Sequence, residues 1–242
     1  MVENNKKTIG ILGGMGPEAT SLFFQRIIQN TPAQKDQQHL KIIIYNDPEI
    51  PDRTEAIVNN KESPVEKVKE GVKFLENSIV DFIAIPCITI HYFFDEIVSS
   101  VNIPVLNLVE ETALYIKEKY SDRKKIGILA TKGTFRGQIF EKVYHKENFI
   151  TIVPDAKGQE HLMKSIYGKE GIKAGFISGY PKDQILKVVD DLIEKGAEVI
   201  VGGCTEIPIV IAQDDIKVPF IDSLTVLAKA AIRKAGLAPE PI

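Results

Sequence analysis

The chain has 242 residues, of which 44% are apolar and 26% are charged, and its formal net charge at pH 7 is −3. This length and composition allow one large or two small domains that bury a core without needing a disulfide or a cofactor. The slightly acidic balance excludes the strongly basic surface by which proteins bind nucleic acids or anionic membranes.

The N-terminal segment carries no targeting pattern. The first seven residues are mostly polar, and the apolar stretch behind them, residues 9–12, is shorter than the core of about 7–15 residues in a signal peptide. No apolar run approaches the length of about 20 residues that a membrane-spanning helix needs. We therefore expect a cytoplasmic protein with no membrane or nucleic-acid partner, in which the two cysteines are free thiols.

Short β-branched runs alternate with amphipathic stretches along the whole chain, which is typical of parallel strands connected by crossover helices. Continuous apolar runs such as 42–44 and 199–201 indicate strands that are buried on both faces. The predicted strands cover residues 7–12, 40–46, 81–86, 104–107, 124–130, 149–153, 198–203 and 218–221. The predicted helices cover residues 17–30, 63–77, 90–100, 110–119, 135–147, 157–168, 181–196, 206–212 and 223–235.

The second half of the chain repeats the pattern of the first. The run IGIL at 9–12 recurs at 126–129, and the only two cysteines, Cys87 and Cys204, are separated by the same 117 positions. This duplication predicts an α/β fold of two pseudo-symmetric lobes, each a parallel sheet flanked by helices, with the active site in the cleft between them. We expect residues 1–112 and 213–242 to form the N-terminal lobe and residues 113–212 the C-terminal lobe.

Cys87 and Cys204 each end an apolar strand and precede a predicted helix. Because ligands of open parallel sheets bind beyond the carboxyl ends of the strands, we expect one thiol on each side of a shared cleft. The positive end of a helix favours a thiolate over a thiol. A thiolate and a thiol that face each other suit the transfer of a proton between two faces of one carbon, which is racemisation or epimerisation.

Four stretches carry a resemblance to a known family: GILGGMGP at 10–17, IPDRT at 50–54, PCITIH at 86–91 and GCTE at 203–206. The chain resembles the aspartate/glutamate racemase superfamily, most closely its aspartate racemase branch, over nearly its whole length. The resemblance implies an amino-acid racemase that uses no cofactor and no metal, is usually a homodimer, and acts on aspartate, with glutamate as the competing substrate.

The resemblance also implies roles for individual residues. Cys87 and Cys204 are the acid/base pair, and Arg53 and Lys173 hold the side-chain carboxylate of the substrate. The other residues expected to bind the substrate are Met15, Ile88, Thr89, Thr131, Thr134 and Thr205. In the duplicated pattern, Thr131 and Thr134 occupy the loop that corresponds to Gly13–Gly16; we expect one of the two to meet a substrate carboxylate, with helix capping as the alternative role.

One position departs from the family pattern. The family has Asn after the first cysteine, whereas this chain has Ile88. The exchange removes a side-chain amide and leaves a backbone N–H, a difference worth about ten- to a hundredfold in affinity or preference. A protein that binds amino acids without catalysis is therefore an alternative.

Other motifs allow other hypotheses. The run GMGPEA at 14–19 fits the dinucleotide fingerprint, so an NAD(P)-dependent oxidoreductase is a second alternative, although it leaves the matched cysteines unexplained. A pyridoxal phosphate enzyme is a third. His91 follows Cys87 by four residues, but without a Cys/His cluster no zinc site is expected. Glu206 either tunes Cys204 or is an exposed carboxylate in the first turn of a helix.

Overall fold

Two parallel β-sheets organise the chain, for which a computed structural model describes residues 6–240. The strands are β1 (Ile9–Gly13), β2 (Ile42–Asn46), β3 (Phe82–Ala84), β4 (Lys125–Leu129), β5 (Ile150–Ile152), β6 (Val199–Gly202) and β7 (Phe220–Ile221). The helices are α1 (Pro17–Asn30), α2 (Arg53–Asn59), α3 (Val65–Asn77), α4 (Phe94–Val98), α5 (Leu108–Lys119), α6 (Lys132–Arg136), α7 (Ile139–Tyr144), α8 (Ala156–Tyr167), α9 (Tyr180–Glu194), α10 (Ile207–Val210) and α11 (Ser223–Lys234). Short 3-10 helices cover Asp36–Gln38, Thr89–Phe93, His145–Glu147, Ile172–Ala174 and Gln213–Asp215.

The two sheets have the same arrangement. Their strand orders are β2-β1-β3 and β5-β4-β6-β7, and all neighbouring strands are parallel. Ile9 lies opposite Phe82 in the first sheet, and Ile126 lies opposite Val199 in the second, so the register repeats with the offset seen in the sequence. The structure therefore confirms the predicted α/β fold of two related parallel sheets flanked by helices.

The predicted strand at 104–107 is only an isolated bridge between Ile83 and Val105. The side chain of Asn107 caps α5 by accepting hydrogen bonds from two backbone amides. Asp222 caps α11 in the same way. The duplication thus extends to the capping residues, while only the second copy forms a regular fourth strand, β7.

The segment 213–242, which the sequence analysis places with the first lobe, is divided between the two sheets. Its strand β7 pairs with β6 and completes the edge of the second sheet, which corrects the prediction for that strand. Helix α11 instead packs against α1 and α5. Residues 241 and 242 lie outside the described residues, and the exact lobe boundaries remain a prediction.

Three local predictions were wrong. Helix α2 was not predicted, although Asp52 caps it by accepting a hydrogen bond from the amide of Glu55 at 2.8 Å. The predicted helix 135–147 is interrupted because Gln138 adopts a left-handed conformation, with φ of 52°. The predicted helix 90–100 begins as a 3-10 helix and continues as α4.

One buried apolar cluster joins the two sheets. It contains Ile11 of β1, Ile128 of β4 and Leu227 of α11, each with no exposed surface. The shared core holds the carboxyl ends of the strands of both sheets in a common region. Within residues 6–240, no helix has both the length and the apolar character to cross a bilayer.

Candidate active site

A small cavity, with a volume of about 10 Å³, lies where the ends of four strands meet. Met15 follows β1, Cys87 follows β3, Thr131 follows β4 and Cys204 follows β6. Its full lining consists of Met15, Arg53, Cys87, Ile88, Thr89, Thr131, Tyr167, Lys173, Cys204, Thr205 and Glu206. Both cysteines are buried free thiols, and both line this one cavity.

The residues singled out in the sequence line the cavity, with the exception of Thr134. Thr134 is fully buried behind the wall, and its hydroxyl is 3.0 Å from that of Thr89 and 3.2 Å from that of Thr131. Thr131 lines the cavity and also caps α6 by accepting a hydrogen bond from the amide of Thr134, while its contact with a substrate carboxylate stays a prediction. Tyr167 and Glu206 line the cavity as well, although the sequence analysis assigned them no substrate contact.

The thiol of Cys204 contacts a carboxylate. Its Sγ donates a hydrogen bond to Oε2 of Glu206 at 2.9 Å, and the Glu206 side chain is 4% exposed. Burial, together with the negative charge of Glu206, raises the pKa of Cys204 well above its ordinary value of 9.0. The prediction that a following helix favours the thiolate is therefore wrong for Cys204. The effect of burial on its pKa outweighs the effect of α10, because this helix has only four residues.

Glu206 also forms an ion pair with Lys173, whose Nζ donates to Oε1 at 2.5 Å. Burial opposes both charges, but each partner favours the charged form of the other, so that the pKa of Glu206 is lowered and that of Lys173 is raised. The ammonium of Lys173 also lies 5.5 Å from the centre of the Tyr167 ring. Both members of the pair are therefore charged at neutral pH.

Arg53 also lines the cavity and is 7% exposed. Its two terminal nitrogens donate to backbone carbonyls of Ile50, Pro51 and Met15 at 3.0–3.2 Å, whereas its buried Nε has no hydrogen-bond partner in the structure. Burial opposes the guanidinium charge, yet the acidic groups of Cys87 and Asp52 raise the pKa of Arg53 above its ordinary value. The cavity thus has a fixed cation close to Cys87.

His91 holds the backbone at Cys87. Its Nε2 accepts a hydrogen bond from the amide of Leu108 at 3.1 Å, so its Nδ1 carries the proton and donates to the carbonyl of Cys87 at 2.8 Å. Burial lowers the pKa of His91 to about 4. The ring is therefore neutral at pH 7, and both of its nitrogens are engaged in the backbone rather than free for a metal or a thiol.

Four threonine hydroxyls connect the two halves of the site. Thr54 lies within 3.3 Å of Thr131, and Thr89 lies 3.2 Å from Thr131 and 3.0 Å from Thr134. Thr54 and Thr89 belong to the first half of the chain, and the other two belong to the second. The sequence analysis missed Thr54, whose one signal was its position directly after Arg53.

A second cavity, of about 390 Å³, lies next to the first; we call it the outer cavity. Arg53, Lys173 and Glu206 line both cavities and so form the wall between them. Gly16 lies against this wall, because a Cβ at its position would be 3.3 Å from Nζ of Lys173. The Lys173–Glu206 ion pair therefore separates the cysteines from the larger space.

Comparisons with known proteins identify a family and a fold. The family model described as Asp/Glu/Hydantoin racemase matches residues 12–231. The broad specificity amino-acid racemase RacX of Bacillus subtilis is 31% identical over 228 residues, which are 93% of this chain and 96% of that protein.

Solved structures give the same result. The aspartate racemase of Picrophilus torridus has a TM-score of 0.87 and 35% identity, with 97% of this chain and 96% of that chain covered. An aspartate racemase homologue of Pyrococcus horikoshii has a TM-score of 0.76 and 25% identity, with 95% of this chain and 99% of that chain covered. Because the family model spans most of the sequence and the fold agrees throughout, the chain belongs to the Asp/Glu/Hydantoin racemase family.

Proposed function

We propose that this protein is an amino-acid racemase that needs no cofactor and interconverts L- and D-aspartate, with glutamate as a competing substrate, by proton transfer between Cys87 and Cys204. The observation that carries the proposal is that both cysteines line one small cavity together with Arg53 and Lys173. Each cysteine lies at the same place in its own half of the chain.

In the proposed reaction, one sulfur is a thiolate and the other is a thiol. The thiolate takes the α-proton, so that the Cα–H bond breaks, an S–H bond forms and a planar carbanion-like state remains. The thiol on the other face then gives its proton to Cα and becomes the thiolate. Cys204 suits the proton-donating role at the start of a turnover, because burial and Glu206 keep it protonated. Reversal of the two roles serves the other enantiomer.

The charged wall suits an acidic amino acid. The unpaired Nε of Arg53 and the ammonium of Lys173 provide donors for the side-chain carboxylate. Thr89, Thr131 and Thr205 provide hydroxyl groups for the α-ammonium and α-carboxylate groups, with the backbone amide of Ile88 beside them. Met15 closes the cavity, and Thr134 supports Thr89 and Thr131 from behind.

The activities of the related proteins support this substrate class. One is an aspartate racemase at 35% identity, and another is a broad specificity amino-acid racemase at 31% identity. We propose aspartate as the preferred substrate because two cations line the same cavity as the cysteines.

The decisive experiment incubates the purified protein with L-aspartate or L-glutamate in heavy water and follows deuterium at Cα together with the chiral composition. The parent protein is expected to show both deuteration and racemisation. Cys87→Ala and Cys204→Ala are each expected to lose racemisation by a factor of about 10³ or more, since each removes one of two required proton carriers. Racemisation that survives the loss of either cysteine would reject the two-thiol mechanism.

Deuteration and further measurements separate the alternatives and test the remaining proposals. A binding protein without catalysis, which Ile88 in place of the family Asn makes reasonable, would bind the amino acid without Cα deuteration. An oxidoreductase would show saturable binding of NAD(P)H in a fluorescence titration. A pyridoxal phosphate enzyme would show the visible absorption of its bound cofactor. We also keep as proposals a homodimer, which light scattering tests, and a cytoplasmic location, which cell fractionation tests.

A further inference from the structure

The wall between the two cavities contains a carboxylate that is already bound to a cation. Glu206 has 4% of its side chain exposed and Lys173 has 24%, so the ion pair lies mostly out of water. The cavity with the cysteines has a volume of about 10 Å³, against about 390 Å³ in the outer cavity. An amino acid that approaches the cysteines from the outer cavity therefore meets this ion pair.

A carboxylate on the side chain of the amino acid has to compete for Lys173. Oε1 of Glu206 already accepts from Nζ of Lys173, and Oε2 accepts from Sγ of Cys204. An acidic side chain gains the ammonium only by sharing it with Glu206 or displacing it. A side chain of the same shape without a charge meets no such competitor.

The charges of the wall give the direction of the effect. Arg53 and Lys173 are positive and Glu206 is negative, so the three residues together carry one net positive charge. Neutralising Glu206 would leave two positive charges facing the same space, and one of them would have lost its partner. A partly buried ammonium without a partner attracts a carboxylate strongly.

We propose that Glu206 is a specificity-determining residue that occupies on Lys173 the place of a substrate carboxylate, and that an acidic side chain binds by displacing it. This inference rests on the proposed function for the nature of the substrate. On this proposal, the displacement of Glu206 from Lys173 lowers the affinity for aspartate. The affinity for asparagine, in which an amide replaces the side-chain carboxylate, is not lowered in this way.

The test compares the dissociation constants of L-aspartate and L-asparagine, measured by titration calorimetry, in four proteins. These are the parent, Glu206→Gln, Glu206→Asp and the control Glu160→Gln, which removes one carboxylate from the exposed ion pair of Glu160 with Lys164. In Glu206→Gln the dissociation constant for aspartate is expected to fall by about ten- to a hundredfold, while that for asparagine changes by less than about threefold. Glu206→Asp, which withdraws the carboxylate by one methylene, is expected to shift the ratio in the same direction by less. The control is expected to leave the ratio unchanged.

The outcome is read from the ratio of the two dissociation constants, with folding checked by circular dichroism. An unchanged or reversed ratio in folded Glu206→Gln overturns the proposal, and so does an equal change for both ligands, which reports a general change of the cavity. If Glu206→Gln does not fold, Glu206→Asp decides by the same criterion.

Deuteration at Cα, followed in parallel, keeps the two proposals apart. Selective binding by Glu206→Gln without any deuteration by the parent rejects the proposed racemisation and supports the role of Glu206. Deuteration by the parent together with an unchanged ratio supports the proposed racemisation and rejects the role of Glu206. If no protein in the series binds aspartate, both are overturned.

Discussion

Sγ of Cys204 lies 2.9 Å from Oε2 of Glu206, and the hydrogen bond runs from the thiol to the carboxylate. Cys87 has a different neighbour, since the guanidinium of Arg53 lies close enough for the two groups to interact electrostatically. The two halves of the chain are therefore similar in fold but different in charge at the site. This difference gives a duplicated structure two unequal thiols.

The first prediction concerns the ionisation of Cys204. Because the chain has two cysteines, Cys87→Ala leaves Cys204 as the one thiol, whose ionisation is followed by the ultraviolet absorbance of the thiolate. We expect it to ionise well above pH 9.0, first because of burial and second because of Glu206. The further change Glu206→Gln is expected to lower this pKa. The pKa of the same thiol in denaturant provides the reference value. A thiolate signal from the folded Cys87→Ala protein at neutral pH would contradict the raised pKa of Cys204.

The second prediction concerns stability in acid. The pKa of His91 is about 4 in the folded protein, against an ordinary value of 6.5. The unfolded chain therefore takes up a proton before the folded protein does, and the free energy of unfolding falls as the pH is lowered from 6.5 through 4. The whole change is about 3 kcal/mol.

Denaturant unfolding at several pH values measures this contribution. His91→Phe lacks the titrating ring, while the other ionisable groups contribute equally to both proteins. The stability difference between the parent and His91→Phe is thus expected to shrink between pH 6.5 and pH 4. A difference that is constant over this interval would show that His91 is not buried as a neutral ring.

The third prediction tests the threonine hydroxyls. Thr134→Val keeps the shape of the side chain but removes a hydroxyl that lies 3.0 Å from Thr89 and 3.2 Å from Thr131. We expect the free energy of unfolding to fall by about 1–3 kcal/mol, because buried hydroxyls lose a partner. Thr134→Ser keeps the hydroxyl and is the matched control, with an expected loss of about 1 kcal/mol for one methyl group. Equal melting curves for Thr134→Val and the parent would contradict the role of this contact.

The fourth prediction concerns Gly14 at the start of the outer cavity. Its φ is +96°, and an added Cβ would lie 2.1 Å from the carbonyl oxygen of Asp47. Gly236 has nearly the same φ, +95°, but nothing lies within 4 Å of an added Cβ. Gly236→Ala is therefore expected to cost about 1–2 kcal/mol of stability through backbone strain alone. Gly14→Ala is expected to cost at least about 4 kcal/mol or to prevent folding, and equal losses for the two variants would disprove the close contact.

Much of the fold was determined by local patterns in the sequence. Apolar runs and their spacing predicted the strands and their duplication, and the structure confirms two related parallel sheets. Strand ends are also local features, so the sequence placed Cys87 and Cys204 at the carboxyl ends of matching strands. An apolar pattern does not predict a short helix whose start depends on a single residue. Asp52 starts α2 in this way, with one capping hydrogen bond.

The tertiary structure alone decided which polar groups meet. Lys173 is 33 positions from Glu206, and no periodicity relates the two, yet folding places them in one mostly buried ion pair. The same folding buries Cys204 beside Glu206 and raises its pKa, where the sequence pattern favoured a thiolate. The burial of apolar residues follows from the residue types along a short segment. The pKa of an ionisable group depends instead on every group that surrounds it in three dimensions. The sequence therefore determined where the site lies, and the packing determined its charge state.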